Sequence, residues 1–109
     1  MDSRLIAHIC SVIEGTTLRP LALRSATPVS GGSINEAYRL EGTDGSRYFL
    51  KLNGAQHLAM FVAEAQGLNA IAETNTILSP RPIAHGSSGG QSYLVLEHLR
   101  GIEKDLLKQ

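Results

Sequence analysis

The sequence predicts an α+β domain: a five-stranded antiparallel sheet with one helix packed on it and a further helix at the amino terminus. Three observations carry that expectation. Apolar residues recur at helical spacing near the start and again between about 56 and 73. The stretches between them hold short runs of period two. Glycine-bearing turns join the first three strands closely enough to require antiparallel pairing.

Taken in order, Leu5, Ile6, Ile9, Val12 and Ile13 form one helical stripe over residues 1–15, with Asp2 or Ser3 as cap and Gly15 as stop. Thr16 to Pro20 reads as a loop, because proline does not continue a helix. Residues 21–53 hold three strands. Leu21 to Val29 is the first, and Pro28 assigns it to an edge or a bend. Ala37 to Leu40 is the second, and the Asp44-Gly45 pair signals the hairpin into the third, Arg47 to Asn53. There Tyr48, Leu50 and Leu52 face one side, Phe49 and Lys51 the other.

A longer helix covers 56–73, with Phe61, Ala65, Leu68 and Ala72 on one face, supported by Leu58 and Ile71. Residues 74–82 read as a loop. Two more strands follow within 81–99, Arg81 to His85 and Ser92 to Glu97, joined by a loop from Gly86 to Gly90. The tail, 100–109, is charged and helix-friendly. No internal repeat or low-complexity tract interrupts this order.

Composition removes several function classes. The 109 residues include 42% hydrophobic and 18% charged, the balance of one folded domain. Lys plus Arg and Asp plus Glu both number 10, so no basic stripe exists to neutralise a nucleic-acid backbone. Aromatic residues make up 5% with no Trp, which also argues against base stacking. Cys10 is the single cysteine, which rules out an internal disulfide and fits a reducing, cytoplasmic setting. Met1 to Arg4 carries no signal-peptide pattern, and no run approaches the roughly 20 apolar residues that span a bilayer. The expectation is a soluble protein with neither membrane nor nucleic acid as partner.

Four places could carry chemistry. Ser30-Gly31-Gly32-Ser33 lacks bulk, so its backbone N–H groups could approach phosphate oxygens, and an ordinary hairpin turn explains it equally well. Lys51 lies inside an apolar strand, where most lysines are solvated edge residues. Glu64, three after Phe61 and four before Leu68, borders the apolar stripe of its helix, where a carboxylate is costly unless paired. Lys51 is the strand lysine that this helix could cover, and such a pair holds a lysine against nucleotide phosphates in kinase-fold enzymes. The fourth place is Tyr93 to Leu99, either a plain core strand or a hinge whose backbone bonds adenine. His8, His57, His85 and His98 lie on separate elements without paired ligand spacing, so no metal site is expected.

Together these stretches resemble the fructosamine (ketosamine) kinases. Val29-Ser30-Gly31-Gly32-Ser33-Ile34-Asn35-Glu36-Ala37-Tyr38 is similar to the phosphate-loop region of that family. Tyr48-Phe49-Leu50-Lys51-Leu52-Asn53 resembles its Phe-Val-Lys-x-Asn strand, with Leu50 where valine is usual. Met60 to Ala65 and Leu68 to Ile71 resemble its first-lobe helix, and Ser79 to Pro82 and Tyr93 to Leu99 its next strand and hinge. The likeness runs in order to Leu99, and 100–109 is read as a post-hinge tail outside it.

The resemblance implies a protein-kinase-like amino-terminal lobe over 1–99 and ATP-dependent phosphorylation of a sugar hydroxyl on ketosamines or glycated proteins. Gly31, Gly32 and Ser33 would cover the phosphates, and Lys51, oriented by Glu64, would hold them. Glu97, His98 and Leu99 would receive adenine. The family's catalytic aspartate, in a His-Gly-Asp segment, and its Mg²⁺ ligands belong to a second lobe that this sequence lacks. That lobe would cover one face, and the chain is expected to be inactive and marginally stable alone. Other readings are a phosphotransferase of the aminoglycoside or choline type, or a non-catalytic module binding a nucleotide or a partner.

Overall fold

Backbone pairing in the computed structural model, which describes residues 1–29, 35–74 and 79–98, builds one five-stranded sheet flanked by two helices. Helix α1 is Ser3–Thr17, strands β1 to β3 are Leu23–Pro28, Glu36–Gly42 and Arg47–Gly54, helix α2 is Leu58–Thr74, and β4 and β5 are Pro82–Ser88 and Gln91–Glu97. A short 3₁₀ turn, Ala55–His57, leads into α2. The strand order is β1-β2-β3-β5-β4, and every neighbouring pair is antiparallel. The expected α+β class and five antiparallel strands are therefore both present. Pro28 lies in β1, an edge strand, where a missing N–H leaves no ladder bond unmade.

Alternation along β3 divides the core into two layers. Leu40, Tyr48, Leu50, Leu52, Tyr93 and Val95 are buried against Leu5, Ile9 and Ile13 of α1. Ala37, Phe49, Leu94 and Leu96 are buried on the other side against Phe61, Ala65 and Leu68 of α2. The sheet is thus covered on both faces, and α1 is a structural layer. Full burial of each α1 aliphatic contributes roughly 1.5–3 kcal/mol. His8 Nε2 and the Tyr93 hydroxyl, 3.2 Å apart, add a polar tie between α1 and the sheet.

Several details differ from expectation. Helix α1 runs past Gly15 to Thr17, and Leu18 is its left-handed cap, with φ of 58° and its N–H donating to the Glu14 carbonyl at 2.9 Å. At the other end Asp2 is the cap, accepting from the Arg4 N–H at 3.0 Å. The expected five-residue loop between the last strands is mostly strand: β4 continues to Ser88, and Gly89 and Gly90, with φ of 59° and 81°, make the reversal. Positive φ at both central positions belongs to a tight primed turn, which glycine adopts without strain. On α2, Ala72 is exposed and Ile71 is 38% exposed, so the buried stripe ends at Leu68.

Candidate functional site

Lys51 projects from the middle strand of the sheet on the α2 face, between its register partners Ala37 on β2 and Leu94 on β5. Its Nζ donates to Glu64 Oε2 at 2.8 Å. Lys51 is 0% exposed and the Glu64 side chain 13% exposed, so both charges lie within the fold and each lowers the cost of burying the other. Glu64 reaches this point because Phe61, Ala65 and Leu68 fix which face of α2 meets the sheet. The pair inferred from helical spacing is formed.

The described residues on either side of 30–34 are tied to β2 and β3 near Lys51. On the entering side the Val29 N–H donates to the Ala37 carbonyl at 2.9 Å, beside Lys51. On the returning side, one step beyond the last ladder pair Glu36 and Leu52, Asn53 Nδ2 donates to Asn35 Oδ1 at 2.9 Å. Asn53 Oδ1 in turn accepts the Gly54 N–H at 2.8 Å. Both asparagines lie in the stretches that resemble the kinase family, and nothing in the sequence assigns either a role. Two short amides at the facing ends of consecutive strands are the only sign they leave in the sequence. Nearby, burial foremost and then Glu36 push the Tyr38 hydroxyl above its ordinary pKa.

Glu97 closes β5 and His98 follows it, both half-buried. The Glu97 N–H donates to the Arg81 carbonyl at 2.8 Å. Gly31, Gly32, Ser33 and Leu99, together with the tail 100–109, lie outside the described residues. Among the described residues no three His, Cys, Asp or Glu side chains come together, so a divalent cation would find no ligand set there. Cys10 lies on α1 away from the pair, its thiol pushed up by burial first and by Glu14 second. No helix among the described residues is long and apolar enough to cross a membrane.

A five-stranded antiparallel sheet with a lysine on its middle strand, paired to a glutamate from the helix on that face, defines a kinase-like fold. The family model described as fructosamine kinase matches residues 5–106, and the chain belongs to that family. The match passes Leu99 and takes in most of the tail, so the likeness continues beyond Leu99, where it was expected to end.

The chain is 54% identical over 92 residues to a "probable ketoamine kinase" of Synechocystis, covering 84% of this chain and 30% of that protein. It is 37% identical over 78 residues to a chloroplastic protein-ribulosamine 3-kinase of rice, covering 71% of this chain and 22% of that one. A crystal structure of a "putative fructosamine-3-kinase" from Haemophilus somnus superposes with a TM-score of 0.77 at 29% identity, over 84% of this chain and 31% of the other. The chain therefore spans less than a third of the length of these relatives.

Proposed function

We propose that this chain is the amino-terminal, nucleotide-binding lobe, over 1–99, of an ATP-dependent kinase that phosphorylates a sugar hydroxyl of ketosamines or of glycated proteins. The observation that carries this reading is the buried Lys51–Glu64 pair at 2.8 Å. ATP bound with Mg²⁺ would supply the transferable phosphoryl group. Lys51 would place positive charge against the phosphates, and Glu64 would hold its ammonium in one position. Gly31, Gly32 and Ser33 would lie over the phosphates, and Glu97, His98 and Leu99 would border the adenine.

The names of the relatives support a ketosamine as acceptor, and they are kinases several times longer than this chain. In-line transfer also needs a base and metal ligands, which the family resemblance assigns to a second lobe, so the lobe alone would be inactive. A cytoplasmic setting fits a single thiol.

The test is Lys51→Met and Glu64→Ala in the full-length protein, assayed for Mg²⁺- and ATP-dependent phosphorylation of a fructosylated amine. Activity should fall on the order of 10²-fold in each. Full activity in either variant would remove the pair from the mechanism. One observation favours a second reading. Lys51 has no exposed surface, so a phosphate reaches it only when neighbouring groups part, and a purely structural ion pair would look the same. In that case Lys51→Met changes melting and leaves nucleotide affinity untouched.

A further inference from the structure

We infer that Ser92 is a positioning residue for the nucleotide phosphates: its hydroxyl pins the point where β3 gives way to α2, and so sets where Glu64 meets Lys51. The inference rests on the nucleotide-lobe reading above. Among the described residues two polar side chains are buried, Lys51 and Ser92, each 0% exposed. They share one face of adjacent strands. Lys51 is paired with Leu94, which packs on the α2 side, and period-two alternation puts Ser92 on that side too. A buried hydroxyl is costly unless it is bonded, and what Ser92 bonds is the chain at its turn into α2.

Ser92 Oγ donates to the Gly54 carbonyl at 2.8 Å, and the Asn53 carbonyl lies 3.3 Å from the same oxygen. Gly54 ends β3 and caps the 3₁₀ turn Ala55–His57. One residue on, the Ala55 N–H donates to the Gly90 carbonyl at 3.0 Å. The junction is thus held to the β4–β5 hairpin by a backbone bond and by one side chain, and the chain from Lys51 to Glu64 runs through it. Phe61, Ala65 and Leu68 fix which face of α2 meets the sheet. Apolar contact is non-directional, however, and the junction fixes where the helix starts. Glu64 lies about 9 Å along α2 from Leu58. A tilt of about 10° at that start moves its carboxylate by about 1.5 Å, enough to part it from the Lys51 ammonium.

The experiment uses the full-length protein and two readouts, the Kd for Mg·ATP by titration calorimetry and the KM for a fructosylated amine. Ser92→Ala removes the hydroxyl and fits the same space. It should weaken nucleotide binding about three- to ten-fold, the range of one neutral hydrogen bond, and leave the KM for the amine unchanged. Ser92→Cys keeps the shape with a weaker donor and should fall between Ser92→Ala and the parent. Added to Lys51→Met, Ser92→Ala should bring no further loss of affinity, because the hydroxyl acts through the pair. A purely structural hydroxyl would lower the melting midpoint and leave the Kd of the folded protein where it was.

Parent-like nucleotide affinity in Ser92→Ala, alongside loss in Lys51→Met, would overturn the role of Ser92 and leave the lobe reading standing. Additive losses in the double variant would also overturn it, since the hydroxyl would then act elsewhere. A parent protein that binds no Mg·ATP would overturn the lobe reading and the inference with it.

Discussion

Lys51 occupies the interior, with no exposed surface, because a carboxylate meets its ammonium at 2.8 Å. The two halves of the pair should respond unequally to removal. Glu64→Ala leaves an ammonium with no exposed surface without that carboxylate, and should cost about 3 kcal/mol. Lys51→Met keeps an unbranched apolar stem in the same space and leaves behind a carboxylate with some access to water, so it should cost far less. Urea melts of both variants against the parent check the order, and equal losses would contradict it. Glu64 was legible in the sequence because the helical period alone sets it beside the buried stripe. The Asn35–Asn53 bond was not, because it depends on the register of β2 against β3, and alternation does not fix register to the residue.

The end of α1 shows how an element boundary escapes a reading of residue types. Gly15 is the usual kind of stop, yet the helix passes it, and the left-handed position falls on Leu18, 87% exposed. The chain after it is fixed from the side, where the Leu21 N–H donates to Glu14 Oε2 at 2.9 Å. That tie sets where the helix must end, whatever residue stands there. Leucine in the left-handed region costs about 1–2 kcal/mol, and its side chain gains little by burial. Leu18→Gly should therefore raise the melting midpoint by roughly 4 °C or more, read by thermal denaturation followed by circular dichroism. The misread loop at 86–90 has a similar cause. β4 is an edge strand, and its half-exposed Gly86 and Ser88 and exposed Ser87 have the composition of a loop while the backbone pairs with β5.

At the scale of the molecule, the α+β class, the five strands and the face-to-face division of β3 were all readable, because each follows from periodicity and turn chemistry. The second layer was not. The stripe on α1 gives a helix with a buried side without saying what it covers, and only the assembled sheet supplies the answer. Removing residues 1–17 should accordingly be severe. It uncovers Leu40, Leu50, Leu52, Tyr93 and Val95 and withdraws three buried aliphatics whose joint contribution is comparable with the whole stability of a small domain. The shortened chain should be aggregated or unfolded by size-exclusion chromatography and circular dichroism. A monomeric, folded product would show that α1 is dispensable.

The strand order carries a kinetic consequence. Pairings β1–β2, β2–β3 and β4–β5 join neighbours along the chain, whereas β3–β5 joins Tyr48 to Glu97 across the whole of α2. Hairpins close in microseconds, but this seam must first close a long loop, and the entropy of that closure is met before any of its contacts form. The sheet therefore assembles as two preformed pieces meeting along one line. Lys51 stands on that line and Glu64 on the segment that bridges it. Docking of the two pieces is expected to be the slow event in folding, and it is also the event that brings the two charges together.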